Sequence, residues 1–237
     1  LQPISWYVFR RKYMPTLGID ASSLQGQINW GQVKSAGYEF VICRNGVGNS
    51  SIDSDCISNV KAAQDAGLKT GYYNFAYPLP TNNNPSRGPK NQAQYHFAAA
   101  PKGIMSVLDI EWPAVGDWST KWGIIDANFI VDWILNYLET YESLTGKPMV
   151  IYSYAPFIQS LGLANCPWIA TRSLWLAAYT DRLPACPKPW SNISMWQDSG
   201  SAKIPGCKNQ IDSDICYDMS IFDVATNVST NDPVIHS

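Results

Sequence analysis

The run SVLDIE (106–111) sets Asp109 and Glu111 two residues apart in the most strand-like stretch of the chain. On a β-strand, side chains at i and i+2 leave the same face, about 6–7 Å apart along the backbone. Ile110 between them turns the other way, toward a helical layer. Two carboxyl groups held that close in a confined space raise each other's proton affinity, so one stays protonated near neutral pH. A protonated acid beside an ionised partner is the equipment for splitting a glycosidic bond. The competing uses are a structural ion pair, or an all-oxygen site for Ca²⁺ or Mg²⁺. A metal is not expected, because no EF-hand loop accompanies the pair, and GVGNSS (46–51) lacks the Lys-Ser/Thr of a phosphate-cradling loop.

Other chemistries find less to work with. The two histidines, His96 in a predicted helix and His236 near the C-terminus, stand far from any G-x-S-x-G, so a serine nucleophile is not expected. Both read as packing or surface residues. The six cysteines (43, 56, 166, 186, 207 and 216) contain no C-x-x-C and too few histidines for a zinc cluster. They fit disulfides in an oxidising compartment, with nearest-neighbour pairing 43–56, 166–186 and 207–216 as the expectation and buried free thiols as the alternative. Sequons at Asn49, Asn192 and Asn227 are no more than chance supplies.

The elements that must position the acids follow from periodicity. LGID (17–20), EFVICR (39–44), LKTGYYNF (68–75), IMSVLDIE (104–111), PMVIYS (148–153), LWLAAY (174–179), ISMWQ (193–197) and NQIDSD (209–214) read as strands. Helical patterns at 29–37, 54–66, 91–100 and 124–144 separate the early ones, two of them stopped by Gly37 and Gly67. The last and longest carries Phe129, Trp133, Tyr137 and Tyr141 beside Ile130, Ile134 and Leu138, one wide buried stripe. AYPLPTNNNPSRGPK (76–90) is an irregular loop. About eight strands, with full helices only in the first half, close naturally into one irregular TIM-like (β/α) barrel, α/β in class, over residues 17–237. Residues 1–16 precede it as a strap packed by Trp6, Tyr7 and Phe9, or as a propeptide remnant. They are not a signal peptide, since charges interrupt any apolar core.

In such a barrel the active site lies where the strands end. The strand-end residues are Asp20, Arg44, Asn74/Phe75, Asp109/Glu111, Tyr152, Tyr179, Trp196/Gln197 and Asp212. Four carboxylates and several aromatics therefore share one mouth. Ten Trp and thirteen Tyr are more than core filling asks for and suit a cleft that stacks on sugar faces. Trp112, Tyr152, Tyr179 and Trp196 are the stacking candidates. Tyr73 reads either as core or as cleft, Trp133 as core, and Trp118 and Trp122 as groove rim or helix cap. Net charge is −2, no basic run exceeds Arg10-Arg11-Lys12, and no apolar stretch spans a bilayer, so neither nucleic acid nor membrane is an expected partner.

These segments, in this order, resemble glycoside hydrolase family 25, the Chalaropsis-type lysozymes. GIDASSLQGQINW (18–30) is similar to the family's opening, and YEFVICRNGVG, AGLKTGYYNFAY, SVLDIEW, KPMVIYS, LWLAAY and MWQDSG continue the likeness over nearly everything after residue 17. The resemblance implies an N-acetylmuramidase acting on peptidoglycan polysaccharide. It implies Glu111 as general acid/base and Asp109 supporting the substrate's 2-acetamido group in a retaining route. It places the family's strand-one Asp on Asp20 and its last-strand Asp on Asp212, with Asp214 close enough to compete. It adds Gln25 and Tyr73 to the substrate-binding set and implies no cofactor. A secreted monomer is expected. One departure stands at the end of the third strand, where the family's Tyr-His-Phe is Tyr73-Asn74-Phe75, with loss of a hydrogen bond near the site as the expected result. A carbohydrate-binding barrel without activity, and a chitinase, are the alternatives. The D-x-x-D-x-D-x-E run of family 18 chitinases is absent, since Val107 stands where an acid is needed.

Overall fold

The computed structural model of the chain describes residues 15–81, 84–111 and 126–223. Most of the 1–16 strap, Trp112, Trp118, Trp122, Asn227 and His236 lie outside the described residues.

Strand β1 (Thr16–Ala21) pairs in parallel with β2 (Phe40–Val47), which carries a two-residue antiparallel partner, β3 (Ser51–Ile52). The sheet continues through β4 (Lys69–Phe75), β5 (Met105–Asp109), β6 (Val150–Tyr154), β7 (Leu174–Ala177), β8 (Met195–Ala202) and β9 (Ile211–Cys216). Because β9 also pairs with β1, eight strands close into a barrel. The short β2–β3 pairing replaces part of the loop expected at 46–51: Gly46 faces Ile52 and Val47 faces Ser51.

One strand departs from an all-parallel reading. β9 runs antiparallel to both β8 and β1. Only residues 203–210 join β8 to β9, too few for the crossover that a parallel pair requires, so the chain turns back as a hairpin.

The helices thin out along the chain. α1 (Trp30–Ser35), α2 (Cys56–Asp65), α3 (Pro89–Ala99) and α4 (Ala127–Thr145) follow the early strands. After α4, only the six-residue α5 (Ala155–Ser160) and short 3₁₀ turns remain among the described residues. α4 starts on Asp126, whose side chain accepts from the Asn128 amide, and ends at Gly146 in the left-handed conformation. Trp133, Tyr137 and Tyr141 stack along its buried face with ring centroids 5.3 and 5.9 Å apart.

Alternation along the strands divides the interior in two. Ile19, Val41, Cys43, Tyr72, Leu108, Ile110, Ile151, Leu174, Leu176 and Trp196 face the helical layer. Phe40, Ile42, Met105, Val107, Val150, Tyr152, Trp175, Met195 and Cys216 fill the barrel, and Phe222 plugs its lower end 5.2 Å from Phe40. Gly18 makes room for this plug, since a Cβ there would sit 2.2 Å from the Phe40 ring.

The expected disulfides are not formed; all six cysteines are free thiols. The 207–216 pairing fails on topology. Cys216 is inside the barrel, where its thiol meets the Ser194 carbonyl, while Cys207 packs against the outer layer. Cys43 and Cys56 neighbour each other in that outer layer, both buried and unbonded.

Candidate active site

The inward-facing residues change character along the barrel axis. Below lie Phe40, Met105 and Met195; at the upper end lie Asp20, Arg44, Asp109 and Asp212. A cavity of about 270 Å³ opens there, and its walls include these four with Glu111, Tyr73, Phe75, Tyr77, Tyr152, Trp175 and Gln197. Three strands contribute by the same rule: the residue two positions after a buried, inward apolar one reaches the mouth. Thus Ile42 leads to Arg44, Val107 to Asp109, and Met195 to Gln197. Asp212 arrives from the other direction. It stands near the start of β9, and because that strand is antiparallel its beginning lies at the same mouth, directly opposite Asp20.

The D-I-E alternation holds past the end of β5. Asp109 is buried inside the barrel, Ile110 is fully buried in the outer layer with its amide bonded to the Tyr152 carbonyl, and Glu111 faces the cavity. Burial, then the Glu111 and Asp20 charges, push the Asp109 carboxyl well above the usual range, and only Arg44 opposes them. Burial, followed by the Asp212 charge, lifts Glu111 to about 7. Glu111 is therefore a proton donor at neutral and mildly acidic pH. Asp20 is raised by burial and by Asp212, against an amide donated by Gln197. Asp20 and Asp212 face each other across the β1–β9 pair, and each carboxyl is raised, burial being the main cause for both. Asp214 lies deeper on the same strand, fully buried, accepting the Trp175 indole N–H at 2.9 Å. Of the two aspartates, Asp212 is the one at the mouth.

Arg44 is the single cation among the described residues lining the cavity. Asp53 holds its Nε at 3.0 Å and its Nη2 at 2.9 Å. Asp53 also accepts from the Ser23 amide and hydroxyl. Burial alone would raise Asp53, but these donors outweigh it and keep its carboxyl low.

The expected sugar-contacting residues divide. Tyr73 and Tyr152 line the cavity. Tyr179 stands beside it, 63% exposed, with its hydroxyl on the Gln197 side-chain oxygen and its own acidity pushed to about 12 by burial and then by Asp212. Trp196 does not belong to the site. Its ring is buried in the outer layer and its indole N–H donates to the Ala178 carbonyl, so its neighbour Gln197 is the one that faces inward. Gln25 is spent locally: its side-chain oxygen accepts from the Ser22 amide and hydroxyl in a capping box. Asn74 is also outward, under α3 and α4, where its oxygen accepts from Asn45 at 2.8 Å. The departure from Tyr-His-Phe therefore changes the packing behind the sheet rather than the mouth.

Arg44, Phe75 and Gln197 were strand-end residues in the sequence, yet their place in the wall was not singled out. Trp175 and Tyr77 carry no signal of their own in the sequence, one lying inside the strand expected at 174–179 and the other in the loop expected at 76–90. Among the described residues, no grouping of His, Cys, Asp and Glu is arranged to hold a metal ion. A second cavity, about 340 Å³, lies at the other end of the barrel with Lys102 and Lys147 in its wall and no carboxylate, so it lacks the groups for acid–base work.

Residues 19–207 match the profile of glycosyl hydrolases family 25. The chain is 30% identical to lysozyme M1 of Streptomyces globisporus over 202 residues, covering 82% of this chain and 65% of that protein, slightly under two thirds of its length. It is 27% identical to the N,O-diacetylmuramidase of Chalaropsis sp, covering 84% of this chain and 94% of the other. The crystal structure of the lysozyme from Streptomyces coelicolor superposes with a TM-score of 0.73 at 27% identity, over 85% of this chain and 91% of that one.

Proposed function

This chain belongs to the glycosyl hydrolases of family 25, and on that premise we propose that it is a lysozyme, an N-acetylmuramidase. It hydrolyses the β-1,4 bond between N-acetylmuramic acid and N-acetylglucosamine in peptidoglycan, outside the cell that makes it. The observation that carries this reading is the pair of carboxyls on either side of Ile110, both turned into one cavity, with Glu111 holding its proton to about pH 7.

Glu111 gives its proton to the glycosidic oxygen as the bond from the anomeric carbon breaks. The substrate's own acetamido oxygen takes the vacated position on that carbon, forming a cyclic oxazolinium, while Asp109 accepts the acetamido N–H. One oxygen of Asp109 is buried without a hydrogen-bond partner among the described residues, which suits it to that N–H. Water then gives a proton back to Glu111 and adds to the anomeric carbon, with overall retention. Asp20 and Asp212 stand beside this pair and shape the field in which it titrates. No bound cofactor enters any step.

Product analysis of digested peptidoglycan tests the proposal. Wild type should release new muramic acid reducing ends, and Glu111→Gln should lower that rate by about 10²–10⁴-fold. New ends made only of N-acetylglucosamine would refute the muramidase reading. Faster turnover of chitin oligomers than of peptidoglycan would favour a chitinase, and unchanged lysis by Glu111→Gln would remove Glu111 from the chemistry.

A further inference from the structure

Gln197 is buried at the centre of three hydrogen bonds that join the cavity wall to its rim. Its Nε2 donates to Asp20 Oδ2 at 2.8 Å. Its Oε1 accepts from the Tyr152 hydroxyl at 2.9 Å and from the Tyr179 hydroxyl at 3.0 Å. We propose that Gln197 is a positioning residue for the reaction: one side-chain amide fixes which oxygen of Asp20 is free of a proton and locks it to the two tyrosines.

An amide oxygen has two lone pairs and no proton, so both are used here and both phenols must act as donors. Reversing the amide would set Oε1 against Asp20 Oδ2, two acceptors facing each other. The orientation therefore holds only while Asp20 Oδ2 carries no proton. Any proton on Asp20 is then confined to its other oxygen, and Asp212 stands directly opposite across the β1–β9 pair. Asp212 in turn is the charge that acts on Glu111. A single amide thus links Tyr179, the exposed aromatic at the rim, to the acid that would protonate the leaving group. The inference rests on the hydrolase reading above for its kinetic consequences, but the geometry of Asp20 stands without it.

Asp20 is faced by several groups whose titration bears on the test. They are Asp212 and Asp214 on β9, Asp109 and Glu111 at the end of β5, Arg44 and Cys43 on β2, Tyr73 on β4, Tyr152 on β6 and Tyr179 after β7. None of them replaces the Nε2 donor.

Two variants separate positioning from packing. Gln197→Leu removes every hydrogen bond; Gln197→Glu keeps an acceptor for the tyrosines and can donate to Asp20 only when protonated. With the full chain on peptidoglycan, Gln197→Leu should lower kcat by about 10–100-fold at every pH while KM stays within about twofold. Gln197→Glu should match that loss at pH 8 and recover toward wild type at pH 5. In parallel, ¹³C NMR of carboxyl-labelled aspartate, with Asp20 assigned from Asp20→Asn, should show Asp20 titrating higher in Gln197→Leu. Wild-type-like kcat with an unmoved Asp20 titration would overturn the proposal, and so would equal loss in both variants at every pH. Should Gln197→Leu fail to fold, the pH-dependent recovery of Gln197→Glu decides. If wild type releases no muramic acid ends, the function fails, and the Asp20 titration alone decides the role of Gln197.

Discussion

Two clusters of buried polar side chains sit on opposite faces of the same strands, and they meet the cost of burial in different ways. Behind β2 and β4, under α3 and α4, Asn45 donates to the Asn74 oxygen at 2.8 Å and to the His96 carbonyl at 2.9 Å. His96 Nδ1 lies 2.8 Å from the Tyr137 hydroxyl, and the Tyr72 and Tyr141 hydroxyls are 2.9 Å apart. Burial pushes His96 down to about 4, so it stays neutral, like every other member. In the barrel mouth the members are four carboxyls, two of them, Asp20 and Asp109, buried, and every one is pushed toward its protonated form. Neutral groups need only partners to be buried cheaply, whereas acids lose hydration that partners do not restore. A cluster that keeps four acids in one hole is shaped by something other than stability, and the open cavity beside it says what.

That contrast makes its largest claim on Asp109. Asp109→Asn removes an acid that burial disfavours, so the folded protein should be as stable as wild type or more so, while lytic activity falls by about 10²–10³-fold. Thermal unfolding and peptidoglycan turnover on one preparation check both halves. A variant that loses stability and activity together would move Asp109 into the structural class.

The opposite outcome is expected behind the sheet. Asn74→Ala leaves the buried Asn45 amide without its side-chain acceptor and should cost about 1–3 kcal/mol of stability. Activity per folded molecule and the pH profile should not change, because Asn74 does not reach the cavity. Denaturant unfolding together with a pH–rate profile reads this, and a displaced profile would show that the two faces are coupled through β4.

The fold was legible in the sequence because its strands are short apolar runs, the early ones separated by helices that end at glycines such as Gly37 and Gly67, and that punctuation survives without any tertiary information. The direction of β9 was missed although the eight residues between Ala202 and Ile211 are too few for a crossover. Parity was the harder problem. In a barrel wrapped by helices both faces of a strand are buried, so Trp196 and Met195, or Tyr72 and Tyr73, are equally apolar and nothing local says which points inward. A polar residue at a strand end is a hint, correct for Asp20, Arg44 and Gln197, yet wrong for Asn74, because the outer layer holds a polar cluster of its own. The D-I-E triplet escaped this ambiguity, since an isoleucine between two acids can only leave them on the side away from the helices.

The smallest expected effect distinguishes the two clusters by pH alone. Glu111 sits at about 7 in the folded protein against a usual value near 4.5, with burial as the main cause. Between those values the folded state holds a proton that the unfolded chain has released, so stability falls as pH rises through the window. The contribution is complete below about 4.5 and is lost by the time pH passes about 7. Glu111→Gln has no proton to lose. Its melting temperature should therefore track wild type at pH 4 and exceed it by a few degrees at pH 8, whereas the deficit of Asn74→Ala should stay constant from about pH 5.5 to pH 8, where His96 in the folded cluster is already neutral. A wild-type-to-Gln difference that is flat from pH 4 to pH 8 would mean that Glu111 is not held against its burial. The mouth would then be, like the cluster behind it, a set of groups at rest.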